Sequence, residues 1–290
     1  MAGKKDYVRR NEQGRDLSAA APARTIPSDP VLRRETEGTV ALLTLNRPAS
    51  RNSLSEEMLT ELIDGLALLG RDTSIRAVVI AAEGPAFCSG HDLRELTERR
   101  ADPDGGRSFF TTLWDLCSTM MMSVVRLPQP VIACVQGAAS AAGCQLVASC
   151  DLAVAAVDAT FATPGVNIGL FCSSPMVALS RNVAPKHAME MLLTGDALSA
   201  ADACRIGLVN RVVPAGQERA EAMRLARHIA SKSAAAIRVG KQAFHAQLEM
   251  SLADAYAHAA RVMVENMLDV DAKEGIAAFL AKRPPQWGDW

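Results

Sequence analysis

The chain has 290 residues, enough for one large domain or a domain with an appendage; 49% of them are hydrophobic and only 4% aromatic, so its core must be built from Ala, Val, Leu, Ile and Met. The formal net charge is -1 with acids and bases intermixed, which excludes a broad basic field for nucleic acid or anionic membrane. No apolar run approaches the roughly 20 residues of a membrane span, and the scattered histidines lack metal-ligand spacing, so neither a membrane span nor a metal is expected.

Residues 1–28 are polar and mixed in charge and read as a mobile N-terminal tail. They lack the apolar stretch of a secretory signal, and Asp6, Glu12 and Asp16 weaken a mitochondrial presequence, so a cytoplasmic protein is expected, with a mitochondrial one as the alternative. The seven cysteines include no C-x-x-C pair and read as free, mostly buried thiols.

From residue 38 the pattern alternates. "GTVALLTLNRP" (38–48) reads as a strand leaving into a turn, and "SEEMLTELIDGLALLG" (55–70) as a helix capped by Ser55 and stopped by Gly70. "IRAVVIAAEG" (75–84), "PVIACVQG" (130–137) and "DLAVAAV" (151–157) are apolar strands; residues 109–127 and 143–150 are helical. Strands alternating with helices predict parallel pairing, buried on both faces. After Val213 the strands stop and four helical segments follow, with Gly275 expected at a bend or cap. The predicted organisation is therefore a tail (1–28), an α/β core (29–213) and a helical region (214–290).

Two stretches carry the chemistry. In "AEGPAFCSGHDLREL" (82–96) and "VQGAASAAGCQLVASCD" (135–151), a chain leaving a strand turns at glycine and begins a helix. The first amides of a helix have no partner within it, so two such turns converging on one point would make an oxyanion hole. Asp92 and Asn167 read as turn and helix-start residues, and Asp151 as structural.

The chain resembles the crotonase superfamily, the enoyl-CoA hydratase/isomerase family. The resemblance is carried by "TLNRPASRNSL" (44–54), "AFCSGHDL" (86–93), "VIACVQGAASAAGCQLVASCDLAVA" (131–155), "FATPGVNIGL" (161–170), "LTGDALSAADACRIGLVNRVV" (193–213) and "EGIAAFLAKRPPQW" (274–287). It implies a spiral of ββα turns and a C-terminal helical region that builds a homotrimer or a dimer of trimers. It implies a CoA thioester as substrate or ligand with no further cofactor. Its oxyanion donors map to the amides of His91 and Ala142, which requires that residue 142 be reached without positive φ. Its two catalytic glutamates map to Gln145 and Gly165, and a third position used by some members maps to Ser173. None of these is a carboxylate, so hydration is expected to be weak or atypical.

His91 is the candidate substitute, since imidazole titrates near neutrality; Cys172, Ser173 and Ser174 form a second small group. For CoA, Arg47 and Arg51 are candidates for the phosphates. The stretch holding Ala86, Cys88, Gly90, Asp92 and Leu93 is the candidate for the adenine and pantetheine, and Phe279 and Lys282, three apart on one helical face, would approach from a neighbouring subunit. A non-catalytic acyl-CoA binder or another thioester reaction (hydrolysis, decarboxylation, isomerisation) remains the alternative.

Overall fold

In a computed structural model, residues 29–288 are described; the tail reading of residues 1–28 falls outside them. Val31 onward forms one compact unit. Its elements run β1 (Leu32–Glu37), β2 (Val40–Leu45), α1 (Glu56–Leu69), β3 (Ala77–Ala82), β4 (Ala86–Cys88), α2 (Leu93–Arg99), α3 (Arg107–Arg126), β5 (Val131–Val135), β6 (Ala138–Ser140) and α4 (Ala142–Ser149). They continue with β7 (Leu152–Ala156), β8 (Thr160–Ala162), α5 (Ser173–Asn182), α6 (Pro185–Thr194), β9 (Leu198–Ser199), α7 (Ala200–Arg205), β10 (Arg211–Val213), α8 (Glu218–Ala230), α9 (Ala234–Gln247), α10 (Leu252–Leu268) and α11 (Val270–Leu280).

The larger sheet has the order β1-β2-β3-β5-β7-β10, antiparallel only between β1 and β2. Its central strands β3, β5 and β7 are apolar at every position because both faces are covered, and β2 departs only at the buried Thr44. Along β2, Ala41, Leu43 and Leu45 join the main core, while Val40 and Leu42 point the other way with Ala77, Val79 and Ile132. That second face is closed by α8 through Ala222, Met223, Leu225, Ala226 and Ala230.

A second sheet, β4-β6-β8-β9, lies beyond the first. After β3, β5 and β7 the chain turns and adds a three-residue strand to this sheet, so the ββα unit is repeated. This is the crotonase-like spiral that the resemblance implies. The helices after β4 and β6 return the chain to β5 and β7 of the larger sheet, and β4 and β6 lie side by side: they pair in parallel, Cys88 opposite Ala139.

The predicted caps are present where the side chains allow them. Ser55 accepts the Met58 amide and Asp92 accepts those of Arg94 and Glu95. Asn167, read as a turn or helix-start residue, lies in a 3-10 turn (Pro164–Ile168). Asp151 is structural: it accepts the Val131 amide at 2.7 Å and Lys241 Nζ at 2.6 Å, with His245 at 3.8 Å. Lys241 also donates to the Val124 and Gln129 carbonyls, so a nearly buried ammonium fastens α9 to the strand ends.

Two expectations for the C-terminal end are corrected. Gly275 is neither a bend nor a cap. It lies inside α11, where a Cβ would stand 3.2 Å from the Trp287 ring, so its role is to admit that ring. Phe279 and Lys282 do not share a helical face, because α11 stops at Leu280 and Lys282 has φ +52°. Lys282 donates to the Phe279 carbonyl and Arg283 to that of Ala278, a Schellman closure with lysine in the left-handed position. The residues beyond are strapped back. Arg283 pairs with Glu274, Gly288 N donates to Asp271, and Trp287 Nε1 donates to the Ser231 carbonyl.

Candidate active site

The glycine turns after β3 and β5 do not hold the donor amides, as the sequence had suggested. Gly84 and Gly137 lead into β4 and β6, and the two candidate amides, those of His91 and Ala142, come one strand later, at the C-terminal ends of those short strands. At the first, Gly90 takes φ +94° and His91 follows. At the second, Ala141 takes φ +50° and ψ -117°, and Ala142 opens α4 with ordinary helical geometry. The left-handed residue is thus Ala141 and not Ala142, and the condition placed on residue 142 is met by displacing the strain one residue upstream. A Cβ in that region costs about 1–3 kcal/mol.

The two turns touch. A Cβ on Gly90 would stand 3.0 Å from Ala141 Cβ and 3.4 Å from the Ala142 nitrogen. A Cβ on Gly143 would stand 2.1 Å from the Cys88 carbonyl oxygen, so only glycine lets α4 begin directly on β4. Among the described residues, neither the His91 nor the Ala142 amide donates to a protein group. Ala141 N, by contrast, is taken up by the Ala162 carbonyl at 2.9 Å. Ala141→Gly should therefore relieve strain without moving the donor and raise stability by about 1 kcal/mol, net of the extra chain entropy of glycine. An unchanged or lower denaturation midpoint at unchanged m would contradict it.

Asn52 was missed by the sequence reading. It is fully buried with φ +53°, its Oδ1 accepts the Arg47 amide, and its Nδ2 donates to the carbonyls of Glu83 and Ala86. Leu54 N donates to the Gly90 carbonyl and Ser89 N to that of Arg51, so the loop bearing Arg47 and Arg51 is stitched to the His91 turn. The signal was present in "ASRNSL", since asparagine tolerates the left-handed region better than other non-glycine residues. Ala86 and Cys88 are buried in β4 and Leu93 is exposed, while Arg51 is exposed on its loop and Arg47 half-buried, with Nη1 donating to the Asn46 carbonyl.

Gln145 lies in the first turn-and-a-half of α4, 5% exposed, and its Oε1 is buried without a protein donor. A buried amide oxygen left in that condition costs about 1–3 kcal/mol, so its lone pairs are available to a donor on a ligand or water. Thr163 Oγ1, two residues before Gly165, is buried in the same condition. Gly165 offers no room for a side chain, because a Cβ would meet the Leu170 carbonyl oxygen at 2.7 Å and Cys172 Sγ at 2.9 Å. Ser173 is exposed, and its hydroxyl donates to the Phe171 carbonyl.

The thiols of the site stay protonated near neutral pH. Burial pushes Cys88 and Cys144 up to about 12, and raises Cys172 as well, against the Gly165 amide that donates to it. The His91 ring is half-buried, with its centroid 5.2 Å from that of Trp114 and the planes 37° apart. Its Nδ1 lies 3.3 Å from the Leu54 carbonyl oxygen. Burial lowers the imidazole below its ordinary value, and the Leu54 contact acts in the opposite direction.

The family model for enoyl-CoA hydratase/isomerase matches residues 35–290. The chain belongs to the enoyl-CoA hydratase/isomerase family. Among its relatives is human enoyl-CoA hydratase domain-containing protein 3, mitochondrial, 45% identical over 93% of this chain and 87% of that protein. A probable enoyl-CoA hydratase of Mycobacterium tuberculosis is 34% identical over 87% of this chain and 96% of that protein. Two solved family structures superpose closely. An enoyl-CoA hydratase of Mycobacterium smegmatis has TM-score 0.85 and 50% identity over 89% of this chain and 99% of its own. The human domain-containing protein 3 has TM-score 0.84 and 44% identity over 89% and 100%. These neighbours confirm the crotonase-type α/β fold. The cytoplasmic expectation finds no support in the relatives' names, whereas the mitochondrial alternative does.

Proposed function

We propose that this protein binds an acyl-CoA thioester and polarises its carbonyl between the amides of His91 and Ala142. The observation that carries the reading is the contact of two turns, each ending a strand of one parallel pair and each leaving its next amide without a protein acceptor. Such donors act where charge develops on oxygen, and one is worth roughly 3–4 kcal/mol in the transition state. They serve any reaction that passes through an enolate or a tetrahedral thioester adduct. Ordinary hydration is disfavoured here, because Gln145 cannot take a proton near neutral pH and residue 165 has neither a side chain nor space for one.

In this reading Arg47 and Arg51 meet the CoA phosphates. The Ala86–Leu93 stretch, through Cys88, Gly90 and Asp92, lines the adenine and pantetheine arm. Phe279 is 82% exposed just before the end of α11 and Lys282 follows in the closing turn, so both face outward for a ligand shared with another subunit. A trimer or dimer of trimers would cover α10, none of whose residues is buried, and with it the exposed Leu252, Tyr256 and Leu268 that it carries. For compartment, the names of the vertebrate relatives favour mitochondria over cytoplasm.

The direct test is vibrational. Bound crotonyl-CoA labelled with carbon-13 at the carbonyl should show its C=O stretch shifted to lower frequency. A thioester that binds by calorimetry with an unshifted carbonyl would remove the oxyanion hole. Absence of thioester binding altogether would remove the reading. Binding with a shifted carbonyl but no turnover on any thioester would favour the non-catalytic binder.

A further inference from the structure

We propose that the His91 imidazole is the acid–base group of this site: its Nε2 removes a proton from the carbon next to the thioester carbonyl while the His91 and Ala142 amides hold the oxygen. This rests on the reading above and adds the group that the amides by themselves lack.

The ring geometry assigns the proton. A carbonyl oxygen only accepts, so the 3.3 Å contact from Nδ1 to the Leu54 carbonyl places the ring's hydrogen on Nδ1 and leaves Nε2 as a lone pair. Among the described residues Nε2 has no bonded partner, and it is not among the buried unpaired atoms. The ring cannot turn freely, since Trp114 of α3 covers it at 5.2 Å and is itself held edge-on by Phe110, 6.2 Å away. Because ring and donor amide belong to one residue, Nε2 stands within a side-chain length of the carbonyl that the amide holds.

No neighbouring group offers the same chemistry. Gln145 neither takes nor releases a proton near neutral pH, Leu170 and Cys172 fill the space at Gly165, and Ser173 is exposed and bonded to Phe171. Nearby carboxylates are engaged elsewhere: Asp92 with Ser53 and the first amides of α2, and Glu95 with the Glu56 amide. From α3 the ring faces uncharged Trp114.

The step balances within the site. The Cα–H bond breaks, the proton goes to Nε2, and the electron pair forms the enolate double bond with its charge on the oxygen between the amides. The imidazolium keeps its Nδ1 hydrogen on Leu54 and its face on Trp114, both favourable to a cation. Return of the proton to Cα regenerates the thioester. Return to the γ-carbon of an unsaturated chain shifts the double bond.

The experiment is exchange of the α-hydrogens of butyryl-CoA for deuterium in D2O by the full-length protein, followed by mass spectrometry. Wild type should exchange well above buffer. Its rate should rise with pH as the imidazole loses its proton, levelling off by neutral pH because burial lowers that titration. His91→Ala keeps both amides, so it should bind butyryl-CoA with unchanged affinity yet exchange roughly 10²-fold more slowly or worse, and added imidazole should restore part of the rate. His91→Phe, which preserves a ring on Trp114, should fail to exchange in the same way without rescue. Wild-type rates in either variant, or a rate independent of pH, would overturn the assignment. Wild type that binds the thioester but does not exchange would also overturn it and leave the thioester reading standing, whereas failure to bind would remove both.

Discussion

Crotonyl-CoA should be hydrated by this protein roughly 10⁴-fold more slowly than by a hydratase carrying two glutamates, the product of two acid–base losses each at the low end of its range. That deficit corresponds to about 5 kcal/mol of transition-state stabilisation. It rests on Gln145, an amide, and on Gly165, where the Leu170 carbonyl and Cys172 Sγ already occupy the place of a side chain. The structure makes the prediction sharper through reversal. Gln145→Glu alone should recover little, and adding Gly165→Glu should destabilise the 165–172 segment before it restores a second carboxylate. Loss of enoyl absorbance on purified protein measures the rate directly. Turnover within tenfold of a two-glutamate enzyme would show that the site works in another way, and full recovery by the double substitution would show that residue 165 has room for a side chain after all.

Gly143→Ala should be the most damaging single-methyl change in the site. Its Cβ would stand 2.1 Å from the Cys88 carbonyl oxygen and 2.8 Å from Cys88 Cβ, and backbone at that distance cannot yield as a flexible side chain would. The cheapest relief is for α4 to lift from β4, which separates the Ala142 amide from His91. Overpacking of this kind typically costs about 1–3 kcal/mol, so the midpoint should fall by about 2–12 °C for a chain of this size, with thioester turnover reduced roughly 10²-fold or more as one donor is displaced. Gly240, whose neighbourhood is open, serves as the control: Gly240→Ala should leave turnover unaffected. A Gly143→Ala protein with wild-type activity and melting temperature would mean that β4 and α4 are not in the contact described.

These effects would survive in very different proportions if the protein were only a binder. A non-catalytic thioester binder would lose affinity in Gly143→Ala but would have no hydration rate to compare and no α-hydrogen exchange to lose.

Much of the fold was legible because its strongest elements are long and periodic. β3 and β5 are continuous apolar runs, which two covered faces require, and β2 is interrupted only by Thr44; α1 and α9–α11 follow the helical repeat and cap residues of their own sequences, and α8 the repeat alone. The second sheet was not legible. Ala-Phe-Cys and Ala-Ala-Ser are three residues each, too short for alternation, and become strands only because β3 and β5 deliver them next to one another. The same limit governs the site. Sequence marked His91, Ala142, Gln145 and Gly165 through motifs, but local pattern could not say that Ala141 would carry the positive φ, since that follows from Gly90 and the Ala162 carbonyl fixing the chain on both sides. Nor could it say that Asn52 would join three segments, that Trp287 would sit on Gly275, or that Lys282 would leave the helix. Periodicity along the chain determines which segments are helix or strand and which face is apolar; close approach between segments distant in sequence decides where a donor amide stands and which side chains there is room to keep.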